Sequence, residues 1–212
     1  MDLFPSPAAL AVFVAACAVF VVTPGPDLTF YLGQTVSRGR AAGMMAVLGN
    51  SLGLLLHSTL AALGLSALLA ASATAFTVLK IVGAVYLLYL GIQAIRHGSA
   101  LSLPSGQGGA GLGRVFAKGL LINVLNPKVI VFFITFLPQF IVPGEPNAGG
   151  KLFVLGVLYI VLSIPISAAI VVCAGGFAGL LQRSATARRT VDWLFAGVMG
   201  AFAAKLLATR PG

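Results

Sequence analysis

Long apolar runs separated by short polar clusters make up this chain. A bilayer-crossing helix needs about 20 apolar residues, and six runs reach that length. The first extends from about Pro7 through Pro24-Gly25-Pro26 to about Val36, long enough for two half-helices, and ends at Ser37-Arg38-Gly39-Arg40. The second covers about Ala41 to Ala70 and is followed by an uncharged turn, Ala71 to Thr74. The third covers about Ala75 to Ile95 and closes on Arg96-His97. A Gly-, Ser- and Pro-rich stretch, Gly98 to Arg114, then reads as a flexible linker. The fourth run, about Val115 to Ile141, is interrupted by Asn126-Pro127-Lys128. After a turn region from Val142 to Gly150 that carries Glu145, the fifth covers about Leu152 to Leu181, with a kink expected at Pro165. A basic segment, Gln182 to Arg189, precedes the sixth, about Val191 to Ala208. The pattern predicts an all-α polytopic membrane protein of six transmembrane helices, with helices 1 and 4 broken at proline, in one transmembrane domain spanning residues 1–212.

Composition agrees. Hydrophobic residues make up 59% of the chain and charged residues 8%, with a mean hydropathy of +1.06, against about 25% charged in soluble domains. The formal charge of +9 does not point to nucleic acid, because the basic residues sit in short clusters between apolar runs, as in cytoplasmic loops. Cys17 and Cys173 each lie in an apolar run without a CxxC pair, which supports neither a redox motif nor a disulfide framework. Val14-Ala15-Ala16-Cys17 resembles a lipoprotein cleavage box. The N-terminus carries Asp2 and no basic residue, so the first run is expected to be retained as a span.

Arg38 and Arg40 follow run one; Arg96, Arg114 and Lys118 flank the linker; Arg183, Arg188 and Arg189 follow run five. The other two turns carry only Lys151 and Glu145. The odd-numbered connections are therefore expected inside and both termini outside, with Lys205 and Arg210 counting against this. VGAVYLLYLGIQAIR (Val82 to Arg96) is echoed by AGVMGAFAAKLLATR (Ala196 to Arg210), and runs one and four both break near mid-span. Two halves of three spans enter the membrane from opposite sides. This predicts an inverted repeat, about residues 7–97 and 115–210, with a midplane site at the two breaks.

The breaks carry the candidate chemistry. Irregular backbone in a membrane is tolerated only where protein buries it or a wet cavity solvates it, and an intramembrane charge is a functional-site hypothesis by default. Pro24, Pro26 and Pro127 break the helices. Asp27 is open to three readings: cap of the second half-helix, ligand of a cationic solute group, or a proton carrier. Lys128, roughly mid-span, either neutralises Asp27 or holds a solute carboxylate. Lys80 either snorkels or serves the site. Asn50, Gly53 and His57 share a helix face, as interhelical glue or as cavity wall with His57 a proton relay, and Gly49 with Gly53 allows close packing. Tyr86 and Tyr89 read as packing or interface anchors. A zwitterion, most obviously a free amino acid, suits such a site: ammonium toward Asp27, carboxylate toward Lys128 or the free N–H groups near Gly25 and Asn126. No nucleophile–base pattern, metal-ligand spacing or nucleotide motif occurs, so neither an enzyme nor a cofactor is expected.

TPGPD (Thr23 to Asp27), LKIVGAVYLLYLGIQAIR (Leu79 to Arg96) and GLLINVLNPKVIVFFITFLPQF (Gly119 to Phe140) together resemble the lysine exporter superfamily and, within it, the RhtB-type homoserine/threonine exporters. The resemblance implies efflux of amino acids or derivatives across a bacterial inner membrane, coupled to protons and without ATP, with Asp27 and Lys128 at the acidic and NPK positions. The expected mechanism is alternating access by rocking of the repeats, Asp27 exchanging a proton for the solute ammonium. Export of another small solute or cation is the alternative, and an intramembrane enzyme the alternative from another class. Protons, the lipid bilayer and a second copy of the chain are the expected partners.

Overall fold

The computed structural model describes residues 5–23, 25–65, 67, 73–97, 111–141, 147–174 and 184–208. Among them every regular element is helical. Helix α1 (Pro7–Val22) starts at Ser6, whose side chain accepts from Ala9 N, with Pro7 in the first position, where its missing N–H costs nothing. The chain bends by 53° into α2 (Pro26–Arg38). A single residue, Gly39, joins α2 to α3 (Arg40–Leu60). Its φ of 86° is the one positive φ among the described residues and lies in a region open chiefly to glycine. The last turn of α3 widens into a π-helical segment, Ala61–Leu65.

Helix α4 (Ala73–His97) follows. Helix α5 (Leu112–Val124) begins before the expected end of the linker, so Arg114 is helical. After a 50° bend comes α6 (Pro127–Val131), continued by a π-helical segment, Phe132–Phe136, and a 3-10 turn, Leu137–Phe140. Helix α7 (Ala148–Val172) starts earlier than its apolar run and passes through Pro165 without ending. Helix α8 (Ala185–Ala208) likewise takes in part of the basic segment. The remainder of the linker and residues 175–183 lie outside the described residues. Among the described residues two helices are long and apolar enough to cross a bilayer, Arg40–Leu65 and Ala148–Val172, and up to four spans result if each bent pair counts as one.

Neighbouring segments run in definite directions. Ala46 meets Gly119 and Gly53 meets Asn123, so α3 and α5 are parallel. Gly43 meets Val171 and Ser58 meets Gly156, so α3 and α7 are antiparallel. Phe13 packs on Phe136 and Phe140, and Phe20 on Phe132, so α1 runs against the α6 segment. These directions gather the α2–α3 corner, the start of α5 and the end of α7 at one pole. There Arg40 donates to the Val172 carbonyl, closing an otherwise open helix end. Lipid is as apolar as leucine, so such helices associate through close packing and polar contacts. Gly49, Gly53 and Gly119 let α3 and α5 approach until a Cβ on any of them would strike the facing helix. Phe13, Phe20, Phe132, Phe136 and Tyr159 form an aromatic core. Leu48, Leu52, Leu55, Leu56 and Leu60 on α3 and Leu63 in its π-helical extension remain exposed, as suits a lipid-facing surface.

Candidate functional site

The two breaks line one cavity, together with polar side chains from α2, α3 and α7. At the second break Asn126 is the N-cap of α6: its Oδ1 accepts from Lys128 N at 3.0 Å. At the first break Gly25 occupies the cap position with no side-chain cap, and Pro26 takes the first helical position. Asp27 therefore does not cap α2. It lies in the first turn, where the positive end of the helix dipole favours its charge.

Lys128 reaches from the second break to the first. Its Nζ donates to Phe20 O at 2.8 Å and Thr23 O at 2.9 Å, and lies 4.4 Å from the centroid of the Phe20 ring. The ammonium thus closes the carbonyl end of α1, where the dipole is negative. Asp27 and Lys128 also attract one another electrostatically, so each charge faces both an opposite charge and a favourable helix end.

On the other side of Asp27 stands Asn123, buried near the end of α5 and missed by the sequence reading. Its Nδ2 donates to Asp27 Oδ2 at 3.2 Å and to Asn50 Oδ1 at 2.7 Å, and its backbone oxygen lies 3.3 Å from His57 Nε2. The same amide end of Asn50 lies 3.2 and 3.3 Å from the two Asp27 oxygens. An amide nitrogen there suits a carboxylate but faces the Asn123 amino group. An amide oxygen suits Asn123 and needs a hydrogen on Asp27. Whichever way the Asn50 amide is turned, Asn50 and Asn123 both lie within hydrogen-bond distance of the Asp27 carboxyl group.

The structure brings Asp27, Lys128, Asn126, Asn50 and Gly25 together around the cavity. Pro26 and Pro127 each start the half-helix beyond a break; Pro24 and the Lys80 side chain lie outside the described residues. His57 does not line the cavity. It lies behind Asn123 and stacks on Phe133 at 5.5 Å. Tyr86 and Tyr89 pack ring to ring at 5.8 Å. Tyr31, Tyr159, Ser163 and Ser167 complete the wall and were also missed; hydroxyls scattered through apolar helices carry no spacing signal. Space for water centres amounts to about 20 Å³, and roughly 10–15 Å³ of such space holds one water. The site as it stands admits water, and a larger solute requires its walls to part. Among the described residues no group of three or more His, Cys, Asp or Glu could hold a metal ion.

A carboxyl group and an ammonium from two helix breaks share one small cavity in an apolar helical protein, and comparison with known families says what kind of protein this is. The family profile "LysE type translocator" matches residues 18–210. The chain belongs to the LysE family of translocators. It is 32% identical over 173 residues to the "Homoserine/homoserine lactone efflux protein" of Salmonella typhimurium, covering 82% of this chain and 80% of that one. It is 31% identical over 147 residues to the "Leucine efflux protein" of the same organism, covering 65% and 66%. An "Uncharacterized membrane protein" of Vibrio cholerae is 35% identical over 135 residues, covering 64% of this chain and 66% of that protein. No solved structure matches. This LysE-type protein is accordingly a membrane transporter and not an enzyme, and both breaks and the network between them fall inside the matched region.

Proposed function

We propose that this LysE-type protein exports amino acids or their derivatives from the cytoplasm by proton antiport. The observation that carries this reading is the opposed pair at the breaks: a carboxylate and an ammonium at one small cavity, each at a helix end of complementary polarity. A zwitterion has the matching charges. Similarity to efflux proteins for homoserine, its lactone and leucine supports the substrate class. Asp27, the acid among the residues lining the cavity and a hydrogen-bond partner of Asn123, supports coupling at that residue. In the cycle, Asp27 gives up its proton to the inside as the solute ammonium arrives and regains one from the outside as the solute leaves.

We read the architecture as six spans in two inverted halves, with alternating access around the breaks. The antiparallel course of α1 against the α6 segment, and of α3 against α7, supports inversion of the halves. Collection of Arg38, Arg40, Arg114 and Lys118 at one pole supports that pole facing the cytoplasm and the termini facing out. The test is to load cells with amino-acid dipeptides and measure which free amino acids leave, comparing wild type, Asp27→Asn and cells without the protein. Rapid exit of one amino acid from wild type alone supports the reading. Equal exit from Asp27→Asn removes Asp27 from the coupling step. Exit no faster than from cells without the protein overturns amino-acid export.

A further inference from the structure

In a continuing helix the carbonyl of residue 20 receives the N–H of residue 24, and that of residue 22 receives the N–H of residue 26. Both donors are missing here, because positions 24 and 26 are proline. The first vacancy is filled from the other half of the chain: Lys128 Nζ bonds Phe20 O and, beside it, Thr23 O, under the Phe20 ring. Two carbonyl oxygens, a ring face and the neighbouring Asp27 carboxylate form a receptor for one compact cation with several N–H donors. Such a cation is a primary ammonium, held by cation–π attraction and by the negative end of the α1 dipole.

We propose that this carbonyl cradle at the end of α1 is the ammonium site for the exported solute, and that Lys128 is its resident occupant in the unloaded protein, displaced when the solute ammonium binds. This rests on the export reading above and deepens it. Two cations cannot share the cradle, so loading releases the Lys128 ammonium beside the bound solute just when the solute carboxylate needs a partner. The cradle requires N–H donors, so a free primary amine is accepted and a quaternary ammonium is refused. Lys128 also gives the cradle a cation of its own between loads, so the Phe20 and Thr23 carbonyls are never left without a donor.

The test uses the purified full-length protein and n-propylammonium, which is the portion of the lysine side chain that Lys128→Ala removes. Lys128→Ala melts below wild type. n-Propylammonium restores its melting temperature saturably, with an apparent affinity at least about tenfold tighter than for wild type, where the resident cation competes. Tetramethylammonium, with the same charge and no N–H, leaves both proteins unchanged. Equal shifts in wild type and variant, an equal effect of tetramethylammonium, or no restoration overturns the proposal. Should Lys128→Ala not fold unaided, recovery of folded protein only when n-propylammonium is present during purification supports the cradle, and recovery with neither cation overturns it. The readout involves no transport, so failed restoration with amino-acid efflux intact overturns the cradle and leaves the export reading standing.

Discussion

At Asn126-Pro127-Lys128 the chain satisfies its own backbone: Asn126 N donates to Asn123 O, Leu125 N to Leu121 O, Ile130 N to Asn126 O, and the Asn126 side chain takes Lys128 N. At Thr23 to Asp27 it does so only in part: Thr23 N donates to Val19 O and Thr29 N to Gly25 O, but no side chain caps the new helix. Two prolines withhold their donors, Gly25 has no side chain with which to cap, and the ammonium that closes the α1 end comes from a residue 105 positions away along the chain. The two breaks are alike in sequence position and unlike in self-sufficiency. A break with its own cap closes its helix start locally and can lend its cation. A proline-flanked break without a cap has carbonyls to offer, and they are held by whatever cation is present. That inequality makes the first break the receptive side of the site.

The sharpest way to break this asymmetry is Lys128→Ala. Hydrogen bonds to charged groups contribute about 1.5–3 kcal/mol each, so removing the shared donor of Phe20 O and Thr23 O is expected to destabilise the protein by about 3 kcal/mol, read by thermal or denaturant melting in detergent. Gly53→Ala acts on the acid's other support. Its new Cβ would collide with the Asn123 side chain, and overpacking of this kind costs about 1–3 kcal/mol. We expect about 2 kcal/mol together with loss of efflux, since Asn123 is pushed from Asp27 and Asn50. Asn126→Ala removes a helix cap from the self-sufficient break; a cost of about 1 kcal/mol with efflux reduced but measurable confirms that this break relies on its own side chain. Gly25→Ala is the smallest change. The added Cβ lies 3.4 Å from Lys128 Cδ, an ordinary contact, and φ is −170°, so a shift within about 0.5 kcal/mol is expected. A large loss there would mean that the first break needs open space as well as its carbonyls.

Much of this was readable beforehand because interrupted apolar runs and intramembrane charges are rare signals with few explanations. The positions of both breaks, and the meeting of Asp27 with Lys128, followed from them. The role of Asp27 within its helix was misread as a possible cap, because Pro26 pushes the start of α2 back by one residue and leaves the cap position to Gly25. Asn123 was invisible for another reason. One amide among leucines and valines looks like any other, and only the parallel crossing of α3 and α5 brings it against Asp27, Asn50 and His57. His57 shares its helix face with Asn50 as the spacing implied, but helical spacing does not say which residue on a face reaches the cavity and which stops at a neighbouring backbone. The early start of α5 escaped detection because Gly113 and Arg114 resemble linker residues until Val115 and Phe116 extend the apolar register.

The glycine crossing of α3 and α5 also sets how closely the two halves of the chain are joined. With Gly49 against the Phe116 backbone and Gly119 against Ala46, these two helices form a keyed joint: neither slides along the other without first being lifted out. One belongs to the first half of the sequence and the other to the second, so the two halves meet here in close backbone contact. Any sliding of one half past the other begins with separation at this crossing, and the α3–α5 pair, drawn from both halves of the chain, holds them in register.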